Sequence, residues 1–529
     1  MTHWSSLSAA TVLTTMALVA GSAAAQTAKP GGAVTIALTE EPDTLDPQRT
    51  STQVASMILH YAGDTLVSKD PQGKIVAGLA STWTVSKDGL TYTFKLKPNV
   101  KFQNGDPLDA AAVKASIQRA VDPSLKSPIT AGYFEQLAGI TTPDKTTVVI
   151  KLKKPSALFL ENMADSRASI IDAKSAKTAG DQFGRAPVLS GPWMVSKWES
   201  GTQIILKRNP NYSWGPAYVH KGPVYLDQLS FRVIPDAATQ VSAFKANDVQ
   251  ALTTVPPNDV DPLKSSGSYS LNKAIRTGVG LFLEFNTTKA PFNDARVRKA
   301  FNMLLNKDAL VKVVLKGQGI PACGPLSPSL RGFWQGMCGY APKYDVKQAL
   351  ALLAQTGWKP GPNNTLQKDG KPFEFTLYTA PIDTWTQSAQ LVQAMLQQAG
   401  IKMNIQKYEF GTLLDKTKAA EDQAHFMGYT YPNADIVYLW FHSDNDKTGL
   451  NLSHFKNAGL DKLIDRSRTS TSESERMTTY QDIQKQIVDN ALWVPLWINE
   501  NYTAVQPNVK GVKLSYDSSL ILNDAYLGK

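Results

Sequence analysis

Residues 66–121 read LVSKDPQGKIVAGLASTWTVSKDGLTYTFKLKPNVKFQNGDPLDAAAVKASIQRAV and contain both kinds of element that the rest of the chain repeats. Three turn signals punctuate the first half: Asp70-Pro71-Gln72-Gly73, Asp88-Gly89 and Asn104-Gly105. Asp, Asn and Gly accept the positive-φ geometry of tight turns between short strands. Between turns, Leu90-Thr91-Tyr92-Thr93-Phe94-Lys95-Leu96 alternates apolar and polar, the period of a half-buried strand. Asp109 then precedes Val113, Ile117, Ala120 and Val121, spaced as a capped helix with one apolar face. None of these residues has an obvious chemical task, so the stretch reads as scaffold.

The theme continues along the chain without a short internal period. Residues 33–275 are strand-rich, with AVTIAL, LTYTFKLK, TTVVIKL, WMVSKW and QIILKRN as clear runs. Residues 276–490 turn helical. Asp294 caps a run in which Val297, Ala300, Phe301 and Leu304 share a face, and a second helix carrying Leu310, Val311, Val314 and Leu315 stops at Gly317. Further helices are predicted at 346–356, 386–399 and 474–490, the last with Met477, Tyr480, Ile483 and Ile487 on a core-facing stripe. Trp493–Ile498 then returns to strand chemistry. This order predicts two α/β lobes, the C-terminal tail rejoining the first, with a ligand cleft where the chain crosses between them.

Length and composition fit that expectation. The chain has 529 residues, 42% hydrophobic and 19% charged, which at roughly 100–200 residues per domain gives two to four domains. Residues 1–25 carry no charged side chain, run apolar from Leu7 through Ala20, and end in Ala23-Ala24-Ala25 before Gln26. They read as a signal peptide, although the basic start is reduced to His3 and the terminal amine. The leader has no cysteine to carry a lipid, and no other run approaches the ~20 apolar residues of a membrane span. The expected location is the periplasm. There, Cys323 and Cys338 in ACGPLSPSLRGFWQGMCGY are expected to form a disulfide, the alternative being two unpaired buried thiols. The net charge of +10 is dispersed, with no run of five basic residues, so nucleic acid is not an expected partner.

Catalytic motifs are missing. The sequence has no Gly-x-Ser-x-Gly, His-Glu-x-x-His, Walker loop or strand-linked Gly-x-Gly-x-x-Gly. Its six histidines form no i,i+4 pair. Asp444–Gly449 copies half of a calcium loop, but Phe455 occupies the position where a bidentate glutamate is required. No cofactor or metal is therefore expected. Aromatic residues are the positive signal. Thr384-Trp385-Thr386 is predicted just before a helix, and Gly428–Asp435 (GYTYPNAD) ends a strand. Rings with a few amides and carboxylates can clasp a polar organic solute. Trp193, Trp198, Trp493 and Trp497, on strands, are assigned to core packing.

Assembled in order, these residues make the chain resemble the family 5 extracellular solute-binding proteins, the periplasmic components of peptide, nickel and related ABC importers. The resemblance spans nearly the whole mature chain. It rests on Glu41-Pro42-Asp43-Thr44-Leu45-Asp46-Pro47, Leu79-Ala80-Ser81-Thr82-Trp83, Ser190-Gly191-Pro192-Trp193, Arg208-Asn209-Pro210-Asn211-Tyr212, and Phe285-Asn286-Thr287 followed by Arg296–Ala300. It implies a two-lobe periplasmic-binding-protein fold (type II, cluster C). Lobe I would cover 26–275 with an inserted subdomain at about 66–185, lobe II 276–490, and residues 491–529 would return to lobe I. It also implies a monomer that closes on its ligand, then docks on an inner-membrane permease, with no turnover. The competing classes are a secreted hydrolase using dispersed carboxylates and a same-fold chaperone or sensor partner.

In peptide-binding members an aspartate after this strand anchors the ligand amine. Matched on Met427-Gly428-Tyr429-Thr430, that position falls at Pro432, which offers no charge; Asp435, three residues on, is the candidate substitute. A peptide, sugar conjugate, opine-like compound or other polar solute all stay open, while sparse histidine argues against the nickel branch. The expected ligand contacts are Trp385, Tyr429, Tyr431, Asn433 and Asp435 from the second lobe, and Thr50 and Ser51 from the first.

Overall fold

The computed structural model describes residues 1, 28–447 and 449–528; apart from Met1, the proposed signal peptide lies outside them. The opening stretch folds as its punctuation directs. Val67–Lys69 pairs antiparallel with Ile75–Ala77 across Gly73 at φ 78°. Ala80–Val85 pairs with Thr91–Leu96 across Gly89 at φ 70°, a conformation that a Cβ would strain. Thr91–Leu96 continues into Thr147–Leu152 and then Leu137–Asp144, giving a four-stranded antiparallel sheet. Helix Ala110–Ala120 covers it, with the Asp109 side chain accepting from Ala112 N. Tyr92, Phe94, Val113, Ile117, Val148 and Ile150 close the core between them.

The main sheet has twelve strands. Ten of them run in order from one edge as Lys402–Lys407, Glu374–Thr379, Ala424–Tyr429, Val279–Phe285, Trp493–Val505, Ala251–Leu252, Ala33–Leu38, Gln228–Val233, Gln203–Arg208 and Trp193–Glu199, and Ser270–Ile275 and Gly319–Pro321 pair with Trp493–Val505 off that path. Mixed parallel and antiparallel pairing with helices between makes the fold α/β, in two lobes. The thirteen-residue strand Trp493–Val505 joins the lobes. Its first half pairs with Val279–Phe285, and its second half with Ser270–Ile275 and Ala251–Leu252.

That strand moves one expected boundary. Residues 491–497 were expected to rejoin the first lobe, yet Leu492, Trp493, Val494, Leu496 and Trp497 all belong to the second lobe's core. Trp493 stacks on Phe282 at 3.7 Å between ring centres, and Asn302 donates to its carbonyl at 3.0 Å. The return comes later: Val505, Leu520, Leu522 and Ala525 pack with Ile36, Leu59 and Phe231. Aromatic burial thus holds the strand in the second lobe until after Trp497. Trp193 and Trp497 are core residues, as read from the sequence. Trp198 is half-buried, donating to Glu41 at 2.5 Å under the Arg185 guanidinium.

Cys323 and Cys338 are bonded, closing a loop with a sequence separation of 15. Cross-linking a loop of this length constrains the unfolded chain by about 3 kcal/mol. Cys323→Ser with Cys338→Ser should lower unfolding free energy by about that amount in a urea titration, and an unchanged midpoint would refute it.

Candidate ligand-binding site

Strand Ala424–Tyr429 ends at Tyr429, the turn 430–434 follows, and helix Ile436–Phe441 begins after Asp435. Gly278, at φ 95°, underlies the turn: a Cβ there would stand 2.3 Å from Tyr429 O and 2.5 Å from Tyr431 N. Only glycine permits that approach. Asp435 is 4% exposed. Its Oδ1 lies 3.1 Å from Arg468 Nε, but out of line, so neither atom has a hydrogen-bond partner among the described residues. The Arg468 guanidinium stacks over Tyr438 at 3.7 Å. Burial pushes the Asp435 carboxyl up to about 7, with Glu161 adding to the rise and Arg468 opposing it. With Arg468 as its ion-pair partner, this costly buried carboxylate is still one hydrogen-bond donor short.

The expected contacts divide. Tyr429 is exposed, with its ring 6.4 Å from Tyr431 and 5.4 Å from Trp440. Tyr431 is half-buried, and burial ahead of the nearby Asp435 pushes its phenol up to about 12. These two rings and Asp435 form one aromatic, acidic corner. Asn433 instead serves the backbone, its Oδ1 accepting from Asp435 N at 3.1 Å. Trp385 is only 8% exposed: the helix starts at Asp383, not 386, so the indole lies in its first turn and packs into the lobe core near Phe410 and Gly428. Thr50 is fully buried, its hydroxyl donating to Asp43 at 2.5 Å. Asp43 also accepts from Thr44 N, Ser51 N and Thr52 Oγ1, which hold its carboxyl below its ordinary range against the effect of burial. Ser51 is exposed at the rim of that loop. The Asp43 loop borders a polar surface cavity with Arg49, Asp181 and Arg185, away from the aromatic corner.

Several residues around Glu161 gave no signal in the sequence. Lys69, from the stretch read as pure scaffold, donates to Tyr516 Oη at 3.1 Å. Tyr516 lies 447 positions later, and no local pattern links the two. Glu161 acts on Lys69 and Tyr516 from its own lobe, and on Asp435 and Tyr480 from the other. Ala157 N donates to Arg468 O at 2.7 Å, so the lobes touch beside Asp435.

A buried polar network supports the strand from beneath. His425 Nδ1 lies 2.9 Å from Asp422 Oδ2 and Nε2 lies 2.9 Å from Glu284 Oε2; Trp440 Nε1 donates to the same Glu284 oxygen at 3.2 Å. All three ionisable side chains are inaccessible to solvent. Burial disfavours the imidazolium, but the two carboxylates outweigh it and raise His425 to about 9. His425 thereby ties this strand to its neighbour Val279–Phe285, where Glu284 is its directly paired residue.

The model of the bacterial extracellular solute-binding proteins, family 5 (middle region), matches residues 74–448. Di/tripeptide-binding protein 2 of Pseudomonas aeruginosa (strain UCBPP-PA14) is 29% identical over 501 residues, 90% of this chain and 91% of that protein. The glutathione-binding protein GsiB of Escherichia coli (strain K12) is 28% identical over 507 residues, 93% and 94% of the two chains. Among solved structures, the oligopeptide-binding protein AppA from Bacillus subtilis, in complex with a nonapeptide, is similar with a TM-score of 0.70 at 26% identity, covering 95% of this chain and 100% of that one.

Proposed function

Because this chain belongs to family 5 of the bacterial extracellular solute-binding proteins, we propose that it captures a short peptide or peptide-like solute with a free amine between its lobes. Members of the family are the substrate-binding components of ABC importers and not enzymes. The observation that carries the ligand class is Asp435, a buried carboxylate with one oxygen lacking a hydrogen-bond donor beside two tyrosine rings. An ammonium supplies the missing donor, charge-assisted, alongside Arg468. Relatives that bind di/tripeptides and glutathione, and a neighbour holding a nonapeptide, support the same class.

On this reading residues 1–25 direct export to the periplasm and are removed. Residues 26–275, with the subdomain at about 66–185, join the chain after 498 as the first lobe, and 276–497 form the second. The protein works as a monomer, and the closed form docks on the permease. A ligand held by both lobes favours the closed form by its differential affinity; moving the population from 1:99 to 99:1 takes ~5.5 kcal/mol of that difference. Native mass spectrometry of protein taken from its periplasm should show a retained amine-bearing solute. A panel of di- and tripeptides and glutathione should raise the melting temperature without being consumed. Tyr431→Ala with Tyr429→Ala should weaken the best panel member about tenfold, the worth of one or two ring contacts. Full affinity in that double variant, by calorimetry, would remove the aromatic corner from the site.

A further inference from the structure

Where the lobes touch, two carboxylates from opposite lobes come close enough for the charge of Glu161 to act on Asp435. Glu161 lies on the short helix Phe159–Asn162 of the first lobe, and Asp435 precedes Ile436–Phe441 in the second. The Ala157–Arg468 backbone hydrogen bond brings them together, because Ala157 stands one turn ahead of Glu161 while the Arg468 side chain lies against Asp435. The lobes also meet at Gly89, where a Cβ would stand 2.6 Å from Thr471 Cγ2 and 3.2 Å from Pro155 Cβ. The closed corner therefore has an acidic group on each wall.

Neither acid is fully compensated. Glu161 has no hydrogen bond or ion pair to its side chain among the described residues. Lys69 acts on it, but from beyond ion-pair range, with Nζ bonded to Tyr516. Asp435 is buried beside the Arg468 guanidinium at 3.1 Å, yet its Oδ1 receives no hydrogen bond. Like charges on the two walls oppose closure in a space poor in water, unless a cation comes between them. An ammonium carries three N–H donors, enough to serve a carboxylate on each side.

We infer that Glu161 and Asp435 form a clamp across the lobes for the ligand's ammonium, with Glu161 as a specificity-determining residue; the inference rests on the amine-bearing reading of the site. Asp435 receives the amine in the open form. Glu161 reaches it only on closure, so its contribution goes wholly to the closed state, which is the differential affinity that closure requires. A ligand without a cation leaves the two acids facing each other and closes the lobes poorly.

The test uses the mature protein with a random tripeptide library and an N-acetylated copy of it, read by native mass spectrometry and calorimetry. Wild type should retain the free-amine library and not the acetylated one, and Glu161→Gln should bind the best free-amine member at least tenfold more weakly. Equal binding by Glu161→Gln would overturn the clamp and leave the peptide reading standing. Retention of the acetylated library as strongly as the free one would also overturn it. If wild type retains neither library, the peptide reading fails, and a panel of alkylamines, polyamines and basic amino acids decides the clamp. Binding that is lost in Glu161→Gln supports it, and the absence of binding overturns it.

Discussion

Replacing His425 with leucine should lower the unfolding free energy by about 3–5 kcal/mol at pH 7, the cost of removing one partner from a buried charged group. The loss arises because Glu284 and Asp422 remain, both inaccessible to solvent and both deprived of the proton between them. The wild-type protein should also show a characteristic pH dependence. His425 is raised in the folded state from its ordinary 6.5 to about 9. Its stabilisation is therefore complete below about pH 6.5 and is lost as pH rises through about 9. The gap corresponds to roughly 3 kcal/mol at 1.36 kcal/mol per unit. Urea midpoints measured from pH 6 to 10 should fall across that window in the wild type and stay flatter in His425→Leu. Parallel profiles for the two proteins would show that the network is not charged as described. Because the network lies under the strand that ends at Tyr429, the leucine variant should also bind ligand less well, in proportion to its loosened turn.

The scaffold was legible because it depends on local rules. Gly73, Gly89 and Gly105 needed only turn chemistry, and Asp109 needed only the four residues after it. The order of motifs from Glu41 to Ala300 carried the family, since that many pieces in sequence have few alternatives. The proposed site could be read from the sequence only where it is one continuous segment. Tyr429, Tyr431 and Asp435 lie within seven residues, so one segment of sequence already held the rings and the acid of the corner proposed as the site. Asn433 belonged to the same segment but turns inward to its own backbone, a choice between solvent and Asp435 N that composition does not reveal. Trp385 went astray through a helix start misplaced by three residues, enough to rotate an indole from a loop into the core. Thr50 lies in the Asp43 loop, away from the corner, and Asp43 uses its hydroxyl. Lys69, Glu161, Arg468 and Tyr516 were invisible because the fold alone joins them. Each is an ordinary polar residue in its own neighbourhood, and its partner lies far away in sequence.

Asp435→Asn should reduce affinity for the best free-amine ligand by about 100-fold or more, in line with the 2–5 kcal/mol lost when one member of a buried charge pair is truncated. Asparagine keeps the size and one acceptor oxygen, so a role confined to shape would survive the change and a role as counter-ion would not. The pH profile separates these further. In the ligand-free protein, burial, supported by Glu161 and opposed by Arg468, holds Asp435 at about 7. Tyr431 and Tyr480 face it as neutral phenols, both raised by burial first and by the acids second. An amine binds the carboxylate and competes with the proton, so affinity should fall as pH drops from 8 to 6. The bound ligand should in turn lower the pH at which Asp435 protonates. Calorimetry in two buffers of different ionisation heat would show proton release on binding near pH 7 in the wild type and none in Asp435→Asn. If affinity is flat from pH 6 to 8 and the asparagine variant binds normally, the amine is received elsewhere and Pro432 marks a true loss of the family's anchor. If both effects are present, the anchor has moved three residues along the chain, from the turn after the strand to the start of the helix. There Arg468 and the opposing lobe control its charge, so the protein senses the ligand amine and its own closure through one carboxylate.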